Sequence, residues 1–146
     1  MKKTLALAII TLATLANTTR AQSPTFEETV KYINKNATQY TTNTGSFTAK
    51  KDGTLSYFRE DGFKYAEMNV FDINLVYEYD ADDGEHNFWW KCKSSGNCIK
   101  RFDKEDGSRF SDAMLTGYTS KEGAEKAIKA YNHLRTLCKK EVDPFN

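Results

Sequence analysis

Two of the three cysteines are close enough in the sequence to form a disulfide bond. Cys92 and Cys98 flank the five residues 93–97. If these five residues form a hairpin loop, the two thiols face each other across a pair of strands, and an oxidising compartment closes the bond. The spacing therefore predicts a Cys92–Cys98 disulfide, which contributes about 2 kcal/mol because its loop is short.

The alternative role for Cys92 and Cys98 is to bind a metal ion. Zinc would need two further ligands, and the chain offers only Cys138, His86 and His133. Their spacing matches none of the common zinc patterns, so we expect neither a metal nor a cofactor. Cys138 lies on the apolar stripe of a predicted helix, which favours a buried, unreactive thiol over a reactive one or an intermolecular bridge.

Acidic residues are concentrated in one predicted turn, which contains Asp80, Asp82, Asp83 and Glu85 beside His86. Oxygen ligands at this density could hold calcium. The EF-hand register fails, however, because placing Gly84 at the sixth loop position puts Tyr79 at the first, where Asp is required. We therefore interpret the cluster as a polar hairpin turn.

Motifs for catalysis are absent from the sequence. The chain has no Gly-x-Ser-x-Gly elbow, no phosphate-binding glycine loop and no dinucleotide fingerprint. His133 falls five residues before Cys138, which puts them on different faces of one helix. No catalytic residue is assigned, and a carboxylate-based hydrolase stays the alternative because a spatial pair of carboxylates is invisible in a sequence.

The aromatic run Phe88-Trp89-Trp90 is the strongest sign of a binding surface. In a strand, Trp89 points away from its two neighbours, so one of the two faces is the more exposed. An exposed indole could stack on a sugar ring or anchor a protein partner. The alternative is that one Trp lies in the core while the other packs under a helix or loop. Trp89 is our ligand-binding candidate.

Helical and alternating patterns predict the elements that position these residues. Thr25 with Glu28 fits a capping box for a helix over about 25–36, and Thr119 with Glu122 fits another for a helix over about 120–140. Four Asp-Gly pairs mark turns in the middle of the chain. The strands predicted around them lie near 45–50, 54–60, 63–70, 73–80, 86–92 and 97–102, with a short seventh near 113–118.

These elements predict an α+β fold. An antiparallel β-meander of six or seven strands follows an N-terminal helix and is packed against a long C-terminal helix. The order resembles a pleckstrin-homology-like layout. With Phe26-Glu-Glu-Thr29 near its start and Ala127-Ile-Lys-Ala-Tyr-Asn-His-Leu134 near its end, the chain is also similar to small exported bacterial proteins of uncharacterised function. Neither resemblance supplies functional residues or implies lipid binding, because no basic phosphoinositide-binding cluster can be located.

The first 21 residues have the layout of a secretory signal peptide. Two lysines precede an apolar run from Leu5 to Ala16, and small residues lead to a predicted cut between Ala21 and Gln22, with a cut after Ala16 as the fallback. The run is too short for a membrane span, which needs about 20 apolar residues. Residues 22–146 are then a single globular domain in the periplasm or outside the cell.

The net charge of this domain argues against one class of partner, nucleic acid. Without Lys2, Lys3 and Arg20, 18 of the 21 basic residues remain against 20 acidic ones, a net charge of −2. No basic excess is present to bind nucleic acid. We therefore expect an exported, non-catalytic binding domain with a protein or small-molecule ligand. The alternatives are the hydrolase and an envelope-associated inhibitor of an enzyme.

Overall fold

The computed structural model describes residues 23–40, 45–82, 84–103 and 108–139. The predicted signal peptide, its cleavage site at Ala21 and Gln22, and the last residues from 140 onward lie outside the described residues. Along the chain the elements are α1 (Phe26–Tyr40), β1 (Ser46–Ala49), β2 (Thr54–Phe58), β3 (Lys64–Asn69), β4 (Ile73–Asp80), β5 (Glu85–Cys92), β6 (Ile99–Arg101), β7 (Arg109–Phe110), β8 (Asp112–Tyr118) and α2 (Lys121–Leu137). The predicted α+β class is confirmed, with antiparallel strands between the two helices.

Two of the four Asp-Gly pairs, Asp52-Gly53 and Asp61-Gly62, form tight turns between consecutive strands as the sequence predicts, whereas Asp83 and the pair Asp106-Gly107 lie outside the described residues. Gly53 and Gly62 have φ angles of 91° and 79°, in the left-handed region that glycine adopts without steric cost. The aspartate before each glycine adds a side-chain bond, because Thr54 N–H donates to Asp52 at 2.7 Å and Phe63 N–H donates to Asp61 at 2.9 Å.

The strands form two antiparallel sheets rather than one continuous meander. The five-stranded sheet has the order β1-β2-β3-β6-β7, and the three-stranded sheet has the order β4-β5-β8. The pairings β3 with β6 and β5 with β8 join strands that are not consecutive in the chain. Alternating hydrophobicity predicts which face of a strand is buried, but it does not predict which strand lies beside it.

The disulfide between Cys92 and Cys98 is confirmed, but it does not lie across a hairpin. Cys92 ends β5 in the three-stranded sheet, and Cys98 precedes β6 in the five-stranded sheet. The hairpin expected over residues 93–97 is therefore wrong. These residues instead carry the chain from one sheet to the other, and the bond ties the two sheets together at that corner.

Local hydrogen bonds define where each helix begins. At α1 the predicted capping box is present, because Thr25 N–H donates to the Glu28 carboxylate at 2.8 Å and Glu28 N–H donates to the Thr25 hydroxyl at 3.3 Å. At α2 the cap predicted at Thr119 is wrong. Ser120 is the N-cap, and its hydroxyl accepts from Gly123 N–H at 3.2 Å. The two residues are adjacent, and both side-chain types cap helices well.

Asn34 attaches α1 to the edge of the five-stranded sheet. Its side-chain oxygen accepts from Phe47 N–H at 2.7 Å, and its side-chain nitrogen donates to the Phe47 carbonyl at 2.9 Å. The amide thus makes the pair of bonds that a neighbouring strand would make, so α1 covers part of the free edge of β1. Considering the residues that the structure describes, neither helix is long and apolar enough to cross a membrane.

Arg135 of α2 holds the junction between the two sheets. Its guanidinium donates to the Val70 carbonyl at 2.8 Å and to the Ile73 carbonyl at 2.7 Å. Residues 70–72 connect β3 in one sheet to β4 in the other. Val70 and Ile73 are buried, so Arg135 supplies partners to carbonyls that water reaches poorly.

We predict that Arg135→Met destabilises the protein by about 2 kcal/mol, because two poorly hydrated carbonyls lose their donors. Urea unfolding followed by tryptophan fluorescence measures the loss. Lys121→Met is the matched control, since it removes an exposed cation from the same helix, and its effect should stay within about 0.5 kcal/mol. Equal unfolding midpoints for the two variants would contradict the prediction.

Candidate functional site

A groove of about 570 Å³ lies between α1 and α2. Thr29 and Ala130 form its floor, since both line the groove and are only 3% and 8% exposed. These short side chains leave space that longer ones would fill. The groove has a volume typical of small-molecule sites, about 300–1,000 Å³. Its lining residues are Pro24, Glu28, Thr29, Tyr32, Lys126, Lys129, Ala130 and His133.

The start of α1 is bonded to α2 at one end of this groove. His133 Nε2 lies 2.9 Å from the carbonyl oxygen of Pro24. A carbonyl only accepts hydrogen bonds, so His133 must carry a proton on Nε2. One turn further along, the Thr29 hydroxyl donates to the Thr25 carbonyl at 2.7 Å. The hydroxyl proton of the floor residue is therefore already used, and the floor presents mainly carbon atoms.

Glu28 and Lys126 each have a hydrogen-bond partner within the protein. The hydrogen bond from Thr25 N–H, followed by the one involving the Thr25 side chain, lowers the pKa of Glu28 from its ordinary value. Glu28 is therefore ionised at neutral pH, and its negative charge lies in the first turn of α1, where the helix dipole favours it. Lys126 donates to the Glu122 carboxylate at 2.6 Å, one turn earlier on the same helix. The charge of Lys126 is thus paired within α2.

Tyr32 and Lys129 line the groove with polar groups that have no partner among the described residues. Tyr32 is 44% exposed, and no hydrogen bond or ring contact joins its side chain to any other described residue. The Lys129 ammonium likewise has no ion pair or hydrogen bond within the described part of the chain. An aromatic ring on one helix and an unpaired cation on the other therefore border the same groove.

Trp89, the candidate from the sequence, lies outside the groove. Phe88 and Trp90 are each 1% exposed and face α2, where the ring of Phe88 stacks on Tyr131 at a centroid distance of 5.5 Å. Trp89 therefore points to the opposite face of the three-stranded sheet, where it is partly buried. Lys91 Nζ lies 5.5 Å from the centre of its ring. The structure does not bring Trp89 together with the other candidate residues.

The two histidines and the free thiol are also held in separate places. His86 Nδ1 is 2.7 Å from the Tyr77 hydroxyl on the three-stranded sheet, whereas His133 lies at the groove. Cys138 is buried at the end of α2, where its thiol lies 3.7 Å from the Lys50 carbonyl. Within the described ranges, no three His, Cys, Asp or Glu residues lie close enough together to hold a metal ion.

The acidic turn after β4 adopts the local geometry expected of a polar turn. Asp82 N–H donates to the Asp80 carboxylate at 3.0 Å, and Gly84 has a φ angle of 67°. The bond is the local side-chain-to-backbone type that favours aspartate in turns. Asp83 lies outside the described residues, so these observations concern only the residues before and after it.

Sequence reasoning missed the groove and its two unpartnered residues. One signal was present, because Tyr32 is an aromatic residue that lies off the apolar stripe of α1 formed by Val30, Ile33 and Ala37. Lys129 gave no signal, since it resembles any exposed lysine on an amphipathic helix. The helices α1 and α2 lie at opposite ends of the domain sequence, so their packing leaves no local pattern in the sequence.

Comparison of the chain with protein-family models, with curated proteins and with solved structures found no match. The resemblance to a pleckstrin-homology-like layout and to small exported proteins therefore stays a prediction.

Cys138 is predicted to react slowly in the folded protein. Burial, followed by the nearby charge of Asp52, raises the pKa of its thiol, so less of the nucleophilic thiolate is present at a given pH. We expect iodoacetamide at pH 8 to label the native chain roughly tenfold or more slowly than the urea-unfolded chain, because reaction needs local opening. Mass spectrometry without reductant follows this thiol, while the disulfide protects the other two cysteines. Equal rates in the two states would contradict the prediction.

Proposed function

We propose that the protein is an exported, non-catalytic binding domain whose ligand site is the groove between α1 and α2. The observation that carries this proposal is the pairing of an exposed aromatic ring, Tyr32, with a buried, mostly apolar floor at Thr29 and Ala130. A ring left 44% exposed beside such a floor gains contact area when an apolar ligand binds there.

The groove is a better candidate site than the surface around Trp89. Small-molecule sites are concave, with apolar walls and a few polar groups. The groove has this form, whereas Trp89 stands on a sheet face beside the exposed Val76 and is partly covered. A binding role for Trp89 stays a prediction, in which it would be a second contact point for a larger partner.

The carboxylate-based hydrolase receives less support from the groove. Glycosidase-type chemistry needs two carboxyl groups on either side of the substrate, one of them protonated. Glu28 is the one carboxylate among the described lining residues, and its lowered pKa keeps it ionised at neutral pH. It also caps α1 through Thr25, which restricts its movement toward a substrate.

Export is supported by two features of the chain. The charged start, short apolar run and small residues before Gln22 fit a secretory signal. The bond between Cys92 and Cys98 is of the kind that persists in oxidising compartments.

Intact mass spectrometry of protein recovered from the host's export fraction tests this assignment. We predict a chain that begins at Gln22 and contains one alkylatable thiol without reductant and three with it. A native mass above that of the bare chain would identify a carried ligand. A single stoichiometric protein partner would instead favour the enzyme-inhibitor alternative, and retention of residues 1–21 on a cytoplasmic chain would contradict export.

The binding site itself is tested with a neutral apolar probe, N-phenyl-1-naphthylamine, whose fluorescence rises in apolar surroundings. Tyr32→Ala removes the ring from the groove, and we predict that the probe binds about 2–10-fold more weakly, the usual value of an aromatic contact. Tyr79→Ala is the matched control, because Tyr79 is an even more exposed tyrosine that lies outside the groove. Equal losses in the two variants, or no binding to the unmodified protein, would contradict the proposed site.

A further inference from the structure

We infer that the ligand of the α1–α2 groove is an amphipathic organic anion, with its apolar body against Tyr32 and Ala130 and its anionic group on the Lys129 ammonium. This inference depends on the proposed function, because it assigns a ligand class to the same groove. It goes beyond that function by naming the charge of the ligand and the residue that selects it.

Among the described residues, the α2 side of the groove has one cation without a counter-charge. Lys126 is paired with Glu122, whereas the Glu28 carboxylate lies on the α1 side, in the first turn of that helix, where the helix dipole favours a negative charge. Lys129 has no partner within the described residues, although it lies one turn from Lys126 on the same side of α2. An anionic group on the α2 side of a ligand supplies the missing partner, whereas a cationic group in that place would be repelled.

The two lysines lie on the α2 side of the groove and the Tyr32 ring lies on the α1 side, which indicates a ligand with an anionic end and an apolar body. Lys126, Lys129 and His133 have the spacing i, i+3 and i+7, so they follow one side of α2. Tyr32 lies on the other helix, and Ala130 lies between the two rims as part of the floor. A ligand that spans the groove therefore places an apolar body on the floor and the Tyr32 ring, with its polar group toward α2.

His133 is excluded as the main anchor by the bond that it already makes. Its Nε2 proton is directed to the Pro24 carbonyl at 2.9 Å, and this bond connects α2 to the residues before α1. His133 therefore limits the groove at that end and orders the start of α1. Lys129, one turn away along α2, has no acceptor among the described residues for the three N–H donors of its ammonium.

Two fluorescent probes with the same aromatic rings separate the effect of charge from the effect of apolar contact. 8-Anilinonaphthalene-1-sulfonate carries one negative charge, and N-phenyl-1-naphthylamine carries none. We expect the sulfonate to bind the unmodified protein more tightly than the neutral probe. Lys129→Gln should weaken sulfonate binding about tenfold, the usual size of one lost charge-assisted contact, and leave binding of the neutral probe unchanged. Lys129→Arg should retain most of the affinity.

Lys139→Gln is the matched control for general electrostatic attraction. It removes the same charge from an exposed residue just beyond α2, and Lys139 does not line the groove. Its effect on sulfonate binding should be less than about twofold, because screening weakens distant surface charges. All of these variants alter exposed side chains, and thermal unfolding checks that each remains folded.

The results distinguish failure of the inference from failure of the proposed site. If the neutral probe binds and depends on Tyr32, but Lys129→Gln leaves sulfonate binding unchanged, the groove is a binding site and the anionic ligand class is wrong. If Lys129→Gln and Lys139→Gln weaken sulfonate binding equally, the attraction is non-specific and the inference is again overturned. If neither probe binds, the proposed function fails as well.

Discussion

Tyr131 of α2 packs at the point where the two sheets and the helix meet. Its ring stacks on Phe88 at 5.5 Å and meets Trp90 edge to face at 6.1 Å, both from the three-stranded sheet. It also meets Phe47 of the five-stranded sheet at 5.7 Å. One side chain of α2 thus contacts both sheets, and the 0% exposed Leu134 continues the same face of α2. The position of α2, and with it one wall of the groove, depends on this aromatic cluster.

Contacts at the corner between the two sheets add a second restraint on their relative position. Arg135 bonds the carbonyls of Val70 and Ile73 where the chain leaves the first sheet, and the Cys92–Cys98 bond joins the sheets where the chain returns. Both connections are short, so the two sheets cannot move far apart without breaking them. Together with the aromatic cluster they hold the two sheets against α2.

The surface between the helices differs from the sheet faces because two of its side chains make no contact that holds the described part of the fold together. Hydrogen bonds between Asn34 and Phe47 cover part of the β1 edge. Phe88 and Trp90 are buried in the core. Tyr32 and Lys129 have no such structural role, and both border one groove. An aromatic ring and a cation that contribute little to folding are free to contribute to binding, which is why the proposed site lies on the helices.

The sequence by itself determined the local features: the capping box at Thr25, the Asp-Gly turns at Gly53 and Gly62, the bounds of most strands and the Cys92–Cys98 bond. Each of these depends on residues only a few positions apart, so their chemistry is visible in the chain. Only the tertiary structure decided that β3 pairs with β6, that β5 pairs with β8 and that α1 lies against α2. These contacts join distant residues, and many arrangements bury the same faces. The groove exists only after α1 and α2 have packed, so no local pattern could have indicated Lys129.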